Sequence, residues 1–423
     1  MSDIVIYGAG KTGMALKSLL QHNDVAIYDD VPSKCSGVVD WEKVKLVITS
    51  PGIAPTSKFV AQCRQRGVKV VGELQFCYWL CNNPIVSVTG TNGKTTVTQL
   101  IKHMMEACNK KCSLLGNGGT PFSQNIAHLE DDSIVVLESS SFQLDDCVDF
   151  APNVSAFTNL APDHLDYHQS YANYVEAKCN NFVHQKDNQW AIFNMDDANV
   201  VELSTKCKAG KLYFSTIKPC NCYYKDGYVI VDFQGTTQKV KFESSYSQHN
   251  LSNVLCAALC VAALGLDVKQ ALQNIADFKF DKHRLQFVAS VNGVRFVDDS
   301  KATNLHAVIS ALHSIEGKAC LILGGVDKGL DFADLFANSQ FLKVKFVACI
   351  GQTSRHIVKQ AARFGIDCMA CDTLGQATLE CYKRANGGDT VLLSPGCSSF
   401  DMFDSYKARG EQFQQAVKDI AYA

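Results

Sequence analysis

Ile85-Val86-Ser87-Val88-Thr89-Gly90-Thr91-Asn92-Gly93-Lys94-Thr95-Thr96 joins a buried-strand signal to a phosphate-binding turn and a helix start. Ile85, Val86 and Val88 make a short apolar run of strand type, Gly90 and Gly93 allow a tight turn, and a helix is expected from Thr95. A helix N-terminus points unsatisfied N–H groups at an anion, and Lys94 and Thr95 stand where a P-loop puts its phosphate lysine and its Mg²⁺ hydroxyl. Gly90, Thr91, Asn92, Gly93, Lys94, Thr95 and Thr96 are therefore candidate ATP residues. The full G-x-x-x-x-G-K-[ST] pattern is not met, because Val88 occupies the first glycine's place.

The 423 residues around this stretch predict about two to four domains. Hydrophobic content of 47% against 19% charged, with no low-complexity tract, predicts globular folding throughout. A net charge of -2 gives no reason to invoke nucleic acid or an anionic membrane, so small ligands are the expected partners. Met1-Ser2-Asp3 runs straight into a strand without a basic segment, so no signal peptide is read. The apolar run from Leu251 to Leu266 is shorter than a bilayer span and is interrupted, which predicts a buried helix rather than membrane insertion. Nineteen cysteines, an odd number, argue for reduced thiols in a cytoplasm. Cys368 with Cys371 and Cys220 with Cys222 lack a partner pair at zinc spacing.

In chain order, Ile4-Val5-Ile6-Tyr7, then Gly8-Ala9-Gly10-Lys11-Thr12-Gly13, a helix, and Val25 to Tyr28 ending in Asp29-Asp30 give the dinucleotide fingerprint. Any nucleotide diphosphate meets that description, NAD included. Leu46 to Ile48 is a further buried strand, with Ser50-Pro51-Gly52-Ile53 as the turn after it, and Asn82-Asn83-Pro84 is the expected linker. Ser133 to Glu138 is a buried strand delivering a carboxylate at its end, which makes Glu138 a metal candidate. Val154 to Asn159 is another strand, followed by a loop of acids and histidines from Asp163 to His168 that suits a cation or a phosphate, or is simply a polar surface. Tyr171 to Phe182 is expected to be helical and carries Lys178. Asn250 and Asn253 share one face of the buried helix's first turn, where they either cap it or read a nucleobase. Asp277 to His283 is the expected passage into a last domain, whose strands near Val294, Cys320 and Thr390 end in loops of Gly, Ser and Lys suited to anions.

Thr89-Gly-Thr-Asn-Gly-Lys-Thr95, Glu138-Ser-Ser-Ser-Phe-Gln143, Asp163-His-Leu-Asp166, Tyr174-Val-Glu-Ala-Lys178, His249-Asn250 with Asn253, His283-Arg284 and Asp299-Ser-Lys-Ala-Thr-Asn304, in this order, resemble the signatures of the Mur ligases. These are ATP-dependent peptide ligases of peptidoglycan precursor synthesis, and the resemblance covers essentially the whole chain. It implies an α/β chain of three domains. A Rossmann-like domain over 1–83 would hold a UDP precursor, a P-loop-type domain over 84–280 would hold ATP, and a Rossmann-like domain over 281–423 would hold an amino acid. Ser50-Pro-Gly-Ile53, Gly324-Gly-Val-Asp-Lys328 and Ser394-Pro-Gly-Cys-Ser-Ser-Phe-Asp401 resemble the members that add D-glutamate to UDP-N-acetylmuramoyl-L-alanine.

By that resemblance Lys94, His164, Lys178 and Arg284 are catalytic, and two Mg²⁺ ions are held by Thr95 with Glu138 and by His164 with a carbamylated Lys178. Asn250, Asn253, Arg284, Asp299 and Lys301 join the glycine turn in holding ATP. Gly10, Thr12, Asp29, Ser50, Gly52, Asn117 and Ser140 would line the precursor site, while Thr303, Lys328, Ser399 and Tyr406 would clasp D-glutamate. A cytoplasmic monomer is expected. Two departures stand out: Ser139-Ser140-Ser141 lacks the leucine that commonly follows the acid, and Tyr406 stands where a phenylalanine is familiar. A ligase for another amino acid, an NAD-dependent oxidoreductase and a non-catalytic nucleotide-binding scaffold are the competing readings.

Overall fold

A computed structural model of the chain describes residues 3–37, 39–242, 246–279, 282–315, 317–327 and 329–422, and only the backbone of Asp166. It divides into two compact units, Met1–Phe278 and Lys279–Ala423. The first contains two sheets and the second one.

The first sheet is built from β1 (Ile4–Tyr7), β2 (Val25–Tyr28), β3 (Leu46–Thr49) and β4 (Lys69–Gly72), in the order β2-β1-β3-β4 and parallel throughout. Parallel strands need crossovers, here the helices Lys11–Leu19 and Lys58–Gln65.

The second sheet comprises β5 (Ile85–Thr89), β6 (Cys112–Gly116), β7 (Ile134–Glu138), β8 (Val154–Phe157), β9 (Trp190–Asn194), β10 (Gly210–Ser215), β11 (Cys222–Lys225), β12 (Tyr228–Phe233) and β13 (Thr236–Lys241). Its order is β13-β12-β11-β10-β9-β8-β5-β7-β6, parallel from β6 to β11 and antiparallel beyond. The chain leaves β5 to build β6 and β7 on one side and returns to build β8 on the other. The carboxyl end of β5 is thus a switch point, the place where open α/β sheets bind ligands. Every residue of β5 is buried, the polar Ser87 and Thr89 included, as expected of a strand covered on both faces. The helix expected from Thr95 begins at Lys94 and runs to Ala107, and that expected over 171–182 is Tyr171–Cys179. The apolar run near Leu251 lies in the helix Gln248–Ala263, almost wholly buried. Among the described residues no helix is long and apolar enough to cross a membrane.

Ile6, Leu16, Ile48 and Val71 around the first sheet share one core with Leu137, Leu144 and Phe150 of the second, so the two sheets lie within one unit. Polar ties reinforce the seam: Thr49 Oγ1 donates to Asp146 Oδ2 at 2.7 Å, and the buried Glu73 accepts the Ser123 N–H at 2.7 Å. Burial pushes the Glu73 carboxyl up.

The second unit holds β14 (Gln286–Val291), β15 (Val294–Asp298), β16 (Ala319–Gly324), β17 (Val344–Ile350), β18 (Cys368–Ala370) and β19 (Thr390–Leu393). Their order is β14-β15-β19-β16-β17-β18, parallel except for the β14–β15 hairpin. Apolar clusters cover both faces, the pattern expected of a parallel sheet. The cysteines are free thiols, and among the described residues no group of three or more His, Cys, Asp or Glu side chains gathers around a cation position.

Candidate nucleotide and substrate site

At the end of β5 the chain turns through Gly90 and Gly93, both with left-handed φ (139° and 87°), into the helix Lys94–Ala107. A Cβ on Gly93 would come within 2.7 Å of Asn253 Oδ1, so glycine is required here by backbone conformation and by space. The loop after β8 supports the turn. Asn92 donates its N–H to Asn159 Oδ1 at 2.8 Å, and its carbonyl accepts from Thr158 Oγ1 at 2.6 Å. Thr91 Oγ1 donates to the Ala161 carbonyl at 3.0 Å and pairs with the Tyr174 hydroxyl at 2.9 Å. Thr95 is partly exposed at the helix start, while Thr96 is buried with no partner for its hydroxyl.

Two lysines converge on one oxygen. Lys94 Nζ donates to the carbonyls of Gly90 and Thr91, both at 2.8 Å, and Lys178 Nζ donates to the same Gly90 carbonyl at 2.7 Å. Lys178 is 1% exposed. Burial, together with the Lys94 charge beside it, pushes its ammonium well below the ordinary lysine range, against a smaller opposing pull from Asp163 and Glu138.

Glu138 closes β7 and is buried. Its Oε1 accepts from Asn117 Nδ2 at 2.8 Å, but its Oε2 has no partner. The Gly116-Asn117-Gly118 turn folds over this carboxylate so closely that a Cβ on Gly118 would stand 1.9 Å from Oε2. A buried, unpaired carboxylate oxygen beside a phosphate-type turn is the donor set a hard divalent cation takes. The carboxylate therefore fits a magnesium ion, and Asn117 serves to orient it.

Asn250 and Asn253 do not cap their helix. Ser247 does, accepting the Asn250 N–H at 3.4 Å. Both asparagines instead leave a buried amide atom without a partner, Oδ1 of Asn250 and Nδ2 of Asn253, and Asn253 lies against Gly93. His164 sits at left-handed φ of 53°, donates its N–H to Asp163 Oδ1 at 3.0 Å, and packs its ring 4.7 Å from Phe142. His168, from the same loop, is buried against Ser141 Oγ at 3.0 Å. Ser140 caps the helix Ser141–Asp145 in a reciprocal arrangement with Gln143.

In the first sheet Gly10 starts the helix Lys11–Leu19 with Thr12 partly exposed on it, and Gly52 has φ of 92°. The fingerprint acid is already engaged: Asp29 accepts from the N–H groups of Ala9 and Val31 at 2.8 and 2.9 Å, which hold its carboxyl below the ordinary range. Ser50 Oγ donates to the Gly8 carbonyl at 3.2 Å. Asp29 and Ser50 therefore shape the glycine loop itself.

In the second unit Arg284 lies between two left-handed residues, His283 (φ 63°) and Leu285 (φ 45°), and its Nε is buried without a partner. Strained non-glycine backbone on both sides marks a position that the fold over-determines. His283 Nδ1 meets the buried Asp298 at 2.7 Å, and the Lys301 N–H donates to the His283 carbonyl at 3.0 Å. Asp299 accepts from the Leu285 N–H and from Ser394 Oγ, and burial pushes its carboxyl up to about 7. Lys301 Nζ lies 5.8 Å from the centre of the Tyr406 ring. Thr303 is exposed and Ser399 buried, and Lys328 falls outside the described residues.

Arg409 was missed by sequence reasoning. It is fully buried and donates Nε to Ser300 Oγ (2.9 Å), Nη2 to the Ser300 carbonyl (2.7 Å) and Nη1 to the Cys397 carbonyl (3.0 Å). It clamps the loop carrying Asp299, Lys301 and Thr303 to the loop carrying Ser399. The available signal was helical spacing, which puts Arg409 on the apolar face with Phe413 and Val417.

A parallel sheet whose switch point carries a glycine turn, a lysine and an unpaired carboxylate defines a nucleotide-phosphate-binding α/β protein. Residues 88–261 match the model of the Mur ligase middle domain, and residues 283–397 match that of the Mur ligase, glutamate ligase domain. A protein of Alkaliphilus oremlandii called UDP-N-acetylmuramoylalanine--D-glutamate ligase is 36% identical over 89% of this chain and 84% of its own length. A protein of the same name from Christiangramia forsetii is 32% identical over 99% of both. Among solved structures, a pseudomurein peptide ligase type C from Methanothermus fervidus superposes with a TM-score of 0.64 at 14% identity over 99% of both chains. A MurF ligase from Thermotoga maritima in complex with ADP gives 0.57 at 17% identity over 91% of this chain and 98% of its own. These two share the fold. The chain belongs to the Mur ligase family.

Proposed function

We infer that the protein is an ATP-dependent ligase that joins the amine of D-glutamate to the terminal carboxylate of UDP-N-acetylmuramoyl-L-alanine, a step of peptidoglycan precursor synthesis. The observation that carries the reaction class is the meeting of Lys94 and Lys178 on the Gly90 carbonyl at the switch point of the second sheet. The amino acid and the precursor follow from the relatives that bear the ligase name at 36% and 32% identity over most of their length.

A free carboxylate is a poor electrophile, so the γ-phosphoryl of ATP is transferred to it, giving an acyl phosphate and ADP. The amine of D-glutamate then attacks the carbonyl carbon and phosphate leaves. Lys94 and the glycine-turn N–H groups offset the phosphate charge, and Arg284, Asp299 and Lys301 are further ATP-binding residues of this reading. When bound, magnesium supplies neutralisation of phosphoryl oxygens; Thr95 with Glu138 would hold one ion, and His164 with Lys178 a second. A neutral buried amine is the form that takes up CO₂, and the resulting carbamate turns Lys178 into an oxygen ligand. Asn250 and Asn253, with unpaired amide atoms, line the nucleotide site. Gly10, Thr12, Asp29, Ser50, Gly52, Asn117 and Ser140 line the precursor site, Asp29 and Ser50 by shaping its glycine loop and Asn117 by orienting Glu138, and Thr303, Lys328, Ser399 and Tyr406 hold D-glutamate. The partition 1–83, 84–280 and 281–423, with Rossmann-like outer domains, and a cytoplasmic monomer complete the reading. Phosphate release by purified protein with magnesium, ATP and the UDP precursor tests it: D-glutamate is expected to exceed L-alanine and L-glutamate, and the reverse order rejects it.

A further inference from the structure

We propose that Tyr167 is a positioning residue for the UDP-linked precursor, tying the loops that would carry its nucleotide end to His164, a catalytic residue of the ligase reading above, on which this rests. The Tyr167 hydroxyl donates to the Ile53 carbonyl at 2.9 Å, across 114 residues of chain. Ile53 closes the turn after β3, its N–H donating to the Ser50 carbonyl at 3.2 Å, while Ser50 Oγ donates to the Gly8 carbonyl at 3.2 Å. The phenol therefore holds the Ser50–Ile53 turn, which is itself bonded to the glycine loop at the carboxyl edge of the first sheet.

At its other end Tyr167 belongs to the short helix Leu165–His168, which follows His164 directly. That helix is bracketed by two left-handed non-glycine residues, His164 (φ 53°) and Gln169 (φ 64°), so its place in the chain is sharply fixed. The Tyr167 ring meets Phe142 edge-on at 4.6 Å and His168 at 4.7 Å, and Phe142 is in turn 4.7 Å from the His164 ring. A shift of the phenol is transmitted through Phe142 to His164, because close-packed rings move together. Burial and the charges of Asp145 and Asp146 push the phenol above its ordinary value, so it remains a donor across the working pH range.

A substrate gripped at both ends uses remote binding energy to place its reacting carboxylate, and that energy is available only if the distance between the two grips is held. Tyr167→Phe removes the hydroxyl and keeps the ring. The expected result is a rise of about tenfold in KM for the UDP precursor with KM for ATP and D-glutamate unchanged, alongside a small fall in melting temperature from the loss of one part-buried hydrogen bond. Titration of the precursor without ATP should show the same loss of affinity. An unchanged precursor KM, or an equal rise in all three KM values, overturns the proposal. Absence of amide synthesis by the unsubstituted protein is a separate result that strikes the ligase reading, and the titration still judges Tyr167 in that event.

Discussion

At Gly90 a single carbonyl oxygen accepts from Lys94 and Lys178, at 2.8 and 2.7 Å, and two full positive charges at that spacing within a buried site would repel strongly. Burial, then the Lys94 charge, push Lys178 towards the neutral amine, the form that carbamate formation needs. Lys178→Ala is therefore expected to abolish turnover, and short carboxylic acids added to the assay should restore part of it by filling the vacated oxygen position; no rescue counts against the carbamate. Asp145 offers a pH test away from the reacting groups. Burial, then Asp146, raise its carboxyl to about 6 in the folded protein, above its unfolded value. Between those values the folded state holds a proton that the unfolded state releases, so this group's contribution to stability falls as pH rises and is lost above about 6. Asp145→Asn should therefore stabilise the protein more at pH about 8 than at pH about 5, read from chemical denaturation. A stabilisation independent of pH would contradict the assignment. Glu138 was legible because a strand-ending acid is placed by the strand itself. The bonds that Asp29 makes were not legible, because the N–H of Ala9 that meets it comes from the loop the acid was expected to complete.

The strand–turn–helix element around Gly93 is the part of the molecule most fully determined by local chemistry. Gly93→Ala would impose left-handed backbone on a Cβ residue, costing about 1–2 kcal/mol, and would push against Asn253 Oδ1 at 2.7 Å. A modest fall in stability with a much larger loss of ATP affinity is expected, measured by melting and by nucleotide titration; retained affinity would show that the turn does not hold the phosphates. Elsewhere the signals for elements were present but weaker. Asp226-Gly227, Gln234-Gly235 and Asn292-Gly293 all have left-handed φ at both positions and close the hairpins β11–β12, β12–β13 and β14–β15. Asp226-Gly227 and Asn292-Gly293 are hairpin signatures and Gln234-Gly235 is not, and the flanking strands mix polar and apolar residues and carry little of their own. The short helix Leu165–His168 could not be read from propensity, since packing on Phe142 and the bond to Ile53 hold it.

For the whole molecule, many of the buried parallel strands were written as short apolar runs ended by loops rich in Gly, Ser and Lys, which is why an α/β fold could be anticipated. The shared core of the first two sheets could not, because Ile6 and Phe150 meet only once the chain has folded. Arg409 and the paired loops it clamps belong to the same class of long-range fact. The central claim is that these parts together make an amide bond at the expense of ATP. Purified protein given magnesium, ATP, UDP-N-acetylmuramoyl-L-alanine and D-glutamate should release one phosphate for each new amide, with D-glutamate preferred over L-glutamate and L-alanine. No amide under those conditions, or a preference for an L-amino acid, would contradict the account.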